Sequence, residues 1–232
     1  MTIDDARAIA VQTRISGNGV PQIIERPGYL ADETVFNFIR AGIADAAARC
    51  GMMAPIHVCH SLGCFVGLDA ASRQPDAIVI AINMPVSPWH GFRRAAGVVA
   101  RMTRLVSQQG ASEANHFRDS LIYFGSHSID DLTRQRLKRI RQRTRGYSAP
   151  RRQDTALFLK TVMLEHRPKG PHLPRVLLVQ GDRDPIAPVR HVNLLRDRLP
   201  NATLMAIDGA HVLPVTHPQD VVRAVESFLQ AI

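Results

Sequence analysis

The sequence predicts an α/β fold in which a mostly parallel β-sheet is flanked by helices. Short apolar runs typical of strands alternate with longer amphipathic stretches typical of helices, and such alternation produces parallel sheets. The run at residues 77–82 is apolar at every position, as expected for a strand buried on both faces. A block of helical segments interrupts the alternation once. It divides the chain into an α/β core, residues 1–85 and 172–232, and a helical lid insertion, residues 86–171.

The first half of the core carries apolar residues at helical spacing in two stretches and strand-like runs in two others. Asp32 is suited to cap the second helix, which ends at Gly51. The predicted elements are a helix at 3–15 ended by Ser16-Gly17-Asn18-Gly19, a strand at 22–24, a helix at 32–51, a strand at 56–58 and a helix ending near residue 73.

The second half resumes the alternation after the insertion. Its predicted elements are strands at 77–82, 176–179 and 203–207, with helices at 189–199 and 219–229. Because a crossover connection between parallel strands places a helix on a face of the sheet, these helices should cover both faces.

Composition suits one folded domain with an insertion. The chain has 232 residues, of which 45% are hydrophobic, so it can bury a sizeable core. Its three cysteines, Cys50, Cys59 and Cys64, show no metal-binding or redox spacing, which favours free thiols in a reducing cytoplasm. We expect no signal peptide and no membrane span, since no apolar run is long enough.

The formal charge of +9 is concentrated in a basic cluster, residues 134–145. Such a cluster could bind nucleic acid, an anionic lipid surface or an acidic substrate. Its basic residues also alternate with Leu132, Leu137 and Ile140, which fits the solvated face of an amphipathic helix. We expect no nucleic-acid partner, because no aromatic residues are interleaved for base stacking.

A serine follows directly after one of the predicted strands. The segment Cys59-His60-Ser61-Leu62-Gly63 leads from a strand into a helix and matches G-x-S-x-G, with Cys59 in place of the first glycine. Such a turn exposes the hydroxyl, and the helix N-terminus directs N–H groups at developing negative charge. The pattern therefore predicts a nucleophile.

Acidic residues and a histidine follow two other predicted strands. Asp182 and Asp184 come after the strand at 176–179, and His211 comes after the strand at 203–207. Because the carboxyl ends of parallel strands meet at one edge of a sheet, we expect these side chains near Ser61. The order Ser, Asp, His along the chain is that of the α/β-hydrolase arrangement.

These motifs resemble the α/β-hydrolase family, in particular its lidded esterases, lipases and acyl transferases. Residues 60–63 resemble the family's nucleophile elbow, residues 181–188 its G-x-x-D-x-x-x-P acid loop, and residues 209–211 its histidine loop. The acid-loop match points to Asp184 as the acid and leaves Asp182 to stabilise the turn. The resemblance implies a serine hydrolase for a small-molecule acyl substrate. Ser61 would be the nucleophile, His211 the base and the Leu62 N–H an oxyanion donor, with no cofactor and no metal.

The sequence departs from the family at its beginning. Family members have earlier strands, one of which lies in the middle of the sheet and carries a His-Gly loop that completes the oxyanion hole. Nothing here matches that loop, so we expect either a fragment or a rearranged sheet of about five strands, with residues 22–24 directly beside residues 56–58 or peeled away from them. Loss of one oxyanion donor lowers rates by about two to three orders of magnitude. The alternative function is therefore a catalytically impaired ligand-binding or regulatory module.

Two large side chains follow the strand at 77–82. Met84 and Trp89 are candidates for the wall of a substrate pocket, and they could equally belong to the core of the lid.

Overall fold

The computed structural model describes residues 13–17, 20–28, 33–87, 170–196 and 198–232, with scattered positions between 93 and 135. Within these residues the chain forms a six-stranded sheet in the order β1-β2-β3-β4-β5-β6. The strands are β1 (Thr13–Gly17), β2 (Val20–Arg26), β3 (Ile56–His60), β4 (Ile78–Ile82), β5 (Arg175–Gly181) and β6 (Ala202–Ile207). The pair β1–β2 is antiparallel and the other four pairs are parallel. The predicted α/β class is confirmed.

Helices follow the strands in the expected alternation. They are α1 (Arg40–Arg49), α2 (Gly63–Ala71), α3 (Val192–Arg196), α4 (Leu213–Thr216) and α5 (Pro218–Gln230), with 3-10 turns at Glu33–Phe36 and Val189–His191. Pro218 begins α5, where its missing N–H has no helical acceptor to lose.

Two apolar clusters form the core, one on each face of the sheet. Alternate residues of β4 enter different clusters: Ile80 packs with α1 and α5, whereas Val79 packs with α2 and α3. All five residues of β4 are buried. This agrees with the uniformly apolar sequence of the strand, because a strand covered by helices on both sides has no polar face.

The predicted helix at residues 3–15 is wrong where the structure describes it, because Thr13–Gly17 is strand β1; residues 3–12 lie outside the described residues. Gly17 pairs with Val20 across Asn18-Gly19, a dipeptide preferred in two-residue hairpin loops. The helix predicted at 32–51 is also shorter, since only Arg40–Arg49 is α-helical.

The direct pairing expected between the first predicted strand and the serine strand is confirmed. Ile23 and Ile24 of β2 lie beside Ile56 and His57 of β3 in parallel register. The helix α1 provides the crossover between the two strands. The sheet has one strand more than expected because β1 adds to its edge.

Most of the predicted lid insertion, and with it the basic cluster 134–145 apart from Gln135, lies outside the described residues. The return of the chain to the core is described: the Gly170 N–H donates to Ser72 Oγ (2.9 Å), and the His172 N–H donates to the Ser72 main-chain oxygen (3.0 Å). The lid remains a prediction. Among the described helices, none has the length and apolar character that crossing a bilayer requires.

Candidate active site

Ser61 stands at a sharp turn between β3 and α2. Its φ of 52° lies in the left-handed region, and its N–H donates to the Ile82 oxygen at the end of β4 (2.9 Å). Glycine permits this turn: a Cβ on Gly63 would lie 2.2 Å from the Arg26 oxygen. A β-carbon on Gly67 would similarly lie 2.2 Å from Cys59 Sγ. The helix can therefore pack against β2 and β3 only with glycine at both positions.

Three polar side chains from three strand ends form a hydrogen-bonded chain. Ser61 Oγ lies 3.0 Å from His211 Nε2, and His211 Nδ1 lies 2.8 Å from Asp184 Oδ2. Because a carboxylate only accepts, Nδ1 carries the proton and Nε2 accepts from the serine hydroxyl. All three residues are buried, with exposures of 7%, 6% and 3%. The structure thus brings together Ser61, Asp184 and His211.

The Asp184 carboxylate is surrounded by donors. Its Oδ1 accepts from the N–H groups of Ile186 (2.8 Å) and Ala187 (2.9 Å), and its Oδ2 accepts from His211 and from Asn83 Nδ2 (2.7 Å). Burial alone would raise the pKa of Asp184, but the neighbouring His211 and the main-chain donors outweigh it and lower the pKa. The carboxyl group is therefore ionised beside the imidazole.

The main chain around His211 is held at several points. His60 Nε2 donates to the His211 oxygen (2.8 Å), and Asn83 Nδ2 donates to the Ala210 oxygen (3.2 Å). Asp182 Oδ1 accepts from the Gly209 N–H (3.1 Å), so this carboxylate joins the acid loop to the histidine loop. These contacts hold the main chain of the histidine loop, and the ring is oriented by its own hydrogen bonds to Ser61 and Asp184.

His60 is a neutral buried histidine. Burial, reinforced by the nearby His211, lowers the pKa of His60 to about 3. Its Nε2 carries the proton that it donates to a carbonyl, so its buried Nδ1 is a bare acceptor, and that atom has no hydrogen-bond partner among the described residues.

The loop after β2 borders the serine. A Cβ on Gly28 would lie 2.9 Å from Ser61 Cβ, 3.1 Å from the His60 oxygen and 3.3 Å from His60 Nδ1. Since β2 pairs directly with β3, the main chain at Gly28 reaches the serine without an intervening strand. Leu62, which precedes the first residue of α2, places its N–H at the helix N-terminus.

The two predicted pocket residues have different outcomes. Met84 is 3% exposed and packs in the core cluster that faces α2 and α3, and its main-chain oxygen accepts from Gln180 Nε2 (3.1 Å). Trp89 lies outside the described residues.

Sequence reasoning missed Asn83 and Gly28. Asn83 follows the apolar strand β4 at the edge where the other candidates were sought, and that position was the available signal. Gly28 stands in a Pro-Gly pair, which in a sequence is typical of a turn and carries no sign of a nearby nucleophile.

The cysteines beside the serine are poor nucleophiles. Burial raises the pKa of Cys59 to about 12 and also raises the pKa of Cys64. Both thiols are free and uncharged. No group of three His, Cys, Asp or Glu side chains in the described ranges is arranged to hold a metal ion.

Comparison with known proteins places this geometry in context. A family model described as the alpha/beta hydrolase family matches residues 16–224. A hydrolase from Oleispira antarctica superposes with a TM-score of 0.65 at 13% identity, over 100% of this chain and 98% of its own. A thermophilic esterase from Thermogutta terrifontis gives 0.57 at 17% identity, over 93% and 91% of the two chains.

A poly(3-hydroxyalkanoate) depolymerase from Ectopseudomonas oleovorans is 39% identical over 54 residues, which are 23% of this chain and 19% of that protein. The match thus spans about a fifth of the depolymerase. The structural matches establish likeness of fold alone. The family model covers most of the sequence, including all three strand ends that carry the hydrogen-bonded chain, and the chain therefore belongs to the α/β hydrolase family.

Proposed function

We propose that the chain is a serine hydrolase that cleaves a carboxylic ester, thioester or similar acyl compound. The observation that carries the proposal is the continuous path from Ser61 Oγ through His211 to Asp184, with separations of 3.0 and 2.8 Å. A serine hydroxyl needs an adjacent, oriented base to act as a nucleophile, and this path provides one.

In the proposed reaction Ser61 Oγ attacks the acyl carbon while His211 Nε2 takes the hydroxyl proton. His211 then gives that proton to the leaving alcohol or thiol, and an acyl-serine forms. Water attacks the acyl-serine with His211 again as the base, which releases the acid and restores the serine. Asp184 keeps the proton on Nδ1 and stabilises the imidazolium in each half.

We assign the Leu62 N–H as an oxyanion donor, because it directly follows the nucleophile at the N-terminus of α2. The substrate is a small molecule in this proposal. The name of the Thermogutta terrifontis esterase among the compared proteins supports the choice of an ester over an amide.

We further propose that residues 86–171 cover the site as a lid. Arg94, in a helical part of this segment, donates from Nη1 to the Pro185 oxygen (2.9 Å), and Pro185 directly follows the acid Asp184. This contact supports a position for the segment beside the acid loop.

Labelling with a fluorophosphonate probe and turnover of p-nitrophenyl acetate test the hydrolase. We expect both in the unaltered chain, and neither in Ser61→Ala. The matched control is Ser107→Ala, because Ser107 is exposed and bonds only the nearby Arg104 oxygen among its described contacts. Labelling of Ser61→Ala at the unaltered rate would contradict the assignment. Labelling without turnover would favour the binding-module alternative.

A further inference from the structure

Asn83 occupies an unusual backbone position. It follows the last residue of β4, is fully buried and has a φ of 52°. Its N–H donates to the Val179 oxygen of β5 (2.8 Å), which extends the pairing of the two strands by one residue. Left-handed backbone is tolerated by glycine, asparagine and aspartate and disfavoured for other residues. The backbone conformation alone therefore favours glycine, asparagine or aspartate at position 83.

The Asn83 side chain uses both amide hydrogens on the catalytic machinery. Nδ2 donates to Asp184 Oδ2 (2.7 Å) and to the Ala210 oxygen (3.2 Å). Both partners are acceptors only, so the amide nitrogen must face them and the orientation of the group is fixed. Asp184 Oδ2 is also the atom that accepts from His211 Nδ1. One amide group thus contacts Asp184 at the oxygen that accepts from His211, and it also contacts Ala210, the residue before His211.

The remaining atom of the amide argues against a purely stabilising role. Asn83 Oδ1 is buried and has no hydrogen-bond partner among the described residues. A buried acceptor without a hydrogen-bond partner destabilises a folded chain. A residue that served stability alone would therefore not place an unpaired oxygen here. Rule-breaking positions of this kind concentrate at functional sites.

We propose that Asn83 is a positioning residue of the hydrolytic site, which fixes the plane of the Asp184 carboxylate and joins the acid loop to the histidine loop. The inference rests on the proposed hydrolase function for its kinetic consequence, but not for its structural one. Without the amide, Asp184 Oδ2 keeps only its bond to His211, while Oδ1 keeps the N–H groups of Ile186 and Ala187, so the acceptor of the imidazole is held less firmly.

The first test is Asn83→Gly, which keeps the left-handed backbone and removes the amide. The matched control is Asp76→Gly, because Asp76 has a φ of 57° but is exposed and precedes β4, whereas Asn83 follows that strand. We expect kcat for p-nitrophenyl acetate to fall about tenfold to a hundredfold in Asn83→Gly with KM nearly unchanged, since geometry and not binding is impaired. Asp76→Gly should match the unaltered chain.

The second test is Asn83→Asp, which keeps both backbone and shape. A carboxylate against Asp184 cannot be ionised together with it, whereas a protonated Asp at position 83 would donate to Asp184 as the amide does. The ratio of its kcat to that of the unaltered chain should therefore rise as pH falls from 8 to 5. The other titratable or charged groups near this position are His211, His60, whose pKa of about 3 keeps it neutral, and Asp182 and Arg183 on the acid loop.

A third readout needs no hydrolysis. The proton shared by His211 Nδ1 and Asp184 should give a downfield proton NMR signal in the unaltered chain and in Asp76→Gly, and this signal should be lost or broadened in Asn83→Gly. A chain without turnover would refute the hydrolase while the signal still tests the positioning. Unchanged kcat and signal in Asn83→Gly, equal losses in Asp76→Gly, or a ratio for Asn83→Asp that is independent of pH would each overturn the inference.

Discussion

Backbone strain in this protein is concentrated beside the site. Among the described residues, the non-glycine residues with left-handed backbone are Ser61, Asp76 and Asn83, and two of these end the adjacent strands β3 and β4. This conformation costs an ordinary residue roughly 1–2 kcal/mol, and asparagine and aspartate tolerate it better. Ser61 and Asn83 are also the positions whose side chains meet His211 and Asp184. The strain therefore accompanies the alignment of the hydrogen-bonded chain.

At this scale we expect Gly28→Ala to impair the enzyme. The added Cβ would lie 2.9 Å from Ser61 Cβ and 3.1 Å from the His60 oxygen, so the serine or the loop must shift. A displacement of that order should lower kcat/KM for p-nitrophenyl acetate by about tenfold to a hundredfold. The control is Gly97→Ala, since a Cβ there would have none of the described residues within 4 Å. Equal activity of both variants would mean that the loop moves away freely.

The elements of the sheet were predictable to different degrees. β4 was clear from its own residues, because a strand covered on both faces is apolar throughout. β1 could not be predicted, because the helical spacing of Ile9 and Ala10 extends to Ile15. The strand forms only by pairing with β2, and the local sequence of β1 does not indicate that pairing. The residues of the hydrogen-bonded chain, Ser61, Asp184 and His211, could be predicted together because each follows a strand that the sequence itself indicates. Asn83 was missed because an asparagine after a strand is ordinary in sequence, and only packing brings it to Asp184.

At the scale of elements, the contact between α1 and α5 can be tested by a double-mutant cycle. A Cβ on Gly42 of α1 would lie 2.8 Å from a methyl carbon of Val222 on α5, whose stiff side chain cannot turn aside cheaply. Overpacking of about 1–3 kcal/mol should exceed the gain of up to ~1 kcal/mol in helix propensity, so Gly42→Ala should destabilise the chain.

In the Val222→Ala background the clash is removed and only the propensity gain remains. We therefore expect Gly42→Ala to stabilise that variant by up to ~1 kcal/mol in urea denaturation. If the effect of Gly42→Ala has the same sign and size in both backgrounds, the two helices do not meet through this pair.

For the whole molecule, two buried histidines should make stability depend on pH. Burial lowers the pKa of His57 to about 4, although its hydrogen bond to Gln74 opposes this, and the pKa of His60 is lowered to about 3. Both rings are neutral in the folded chain at pH 5, whereas the unfolded chain binds their protons below about pH 6.5. Stability is therefore retained above pH 6.5 and falls as pH is lowered towards 4, by up to ~1.4 kcal/mol per pH unit for each ring.

The measurement is urea denaturation between pH 7.5 and 4.5. His57→Gln should lower the slope of unfolding free energy against pH between pH 6 and 5 by up to ~1.4 kcal/mol per unit. His172→Gln should leave the slope as it is, because His172 is exposed. The slope is the informative quantity, since His57→Gln also changes packing and its absolute stability will differ. The contribution of His60 should remain in His57→Gln, whereas a slope equal to that of the unaltered chain would show that the His57 ring is already charged in the folded chain.

Because β4 pairs with β5, one edge of β4 stays open during synthesis until β5 has been translated. β4 ends at Ile82, and the strand that covers its free edge begins at Arg175, after residues 83–174 have been translated. At about 5–20 residues per second, this fully apolar strand waits roughly 5–20 s as an open edge, a template for pairing with other nascent chains. Ribosome-bound chains that stop at residue 170 should recruit chaperones strongly, and those that extend through β6 should not. β4, the strand that Asn83 follows in the folded protein, is thus the segment that most needs protection during synthesis.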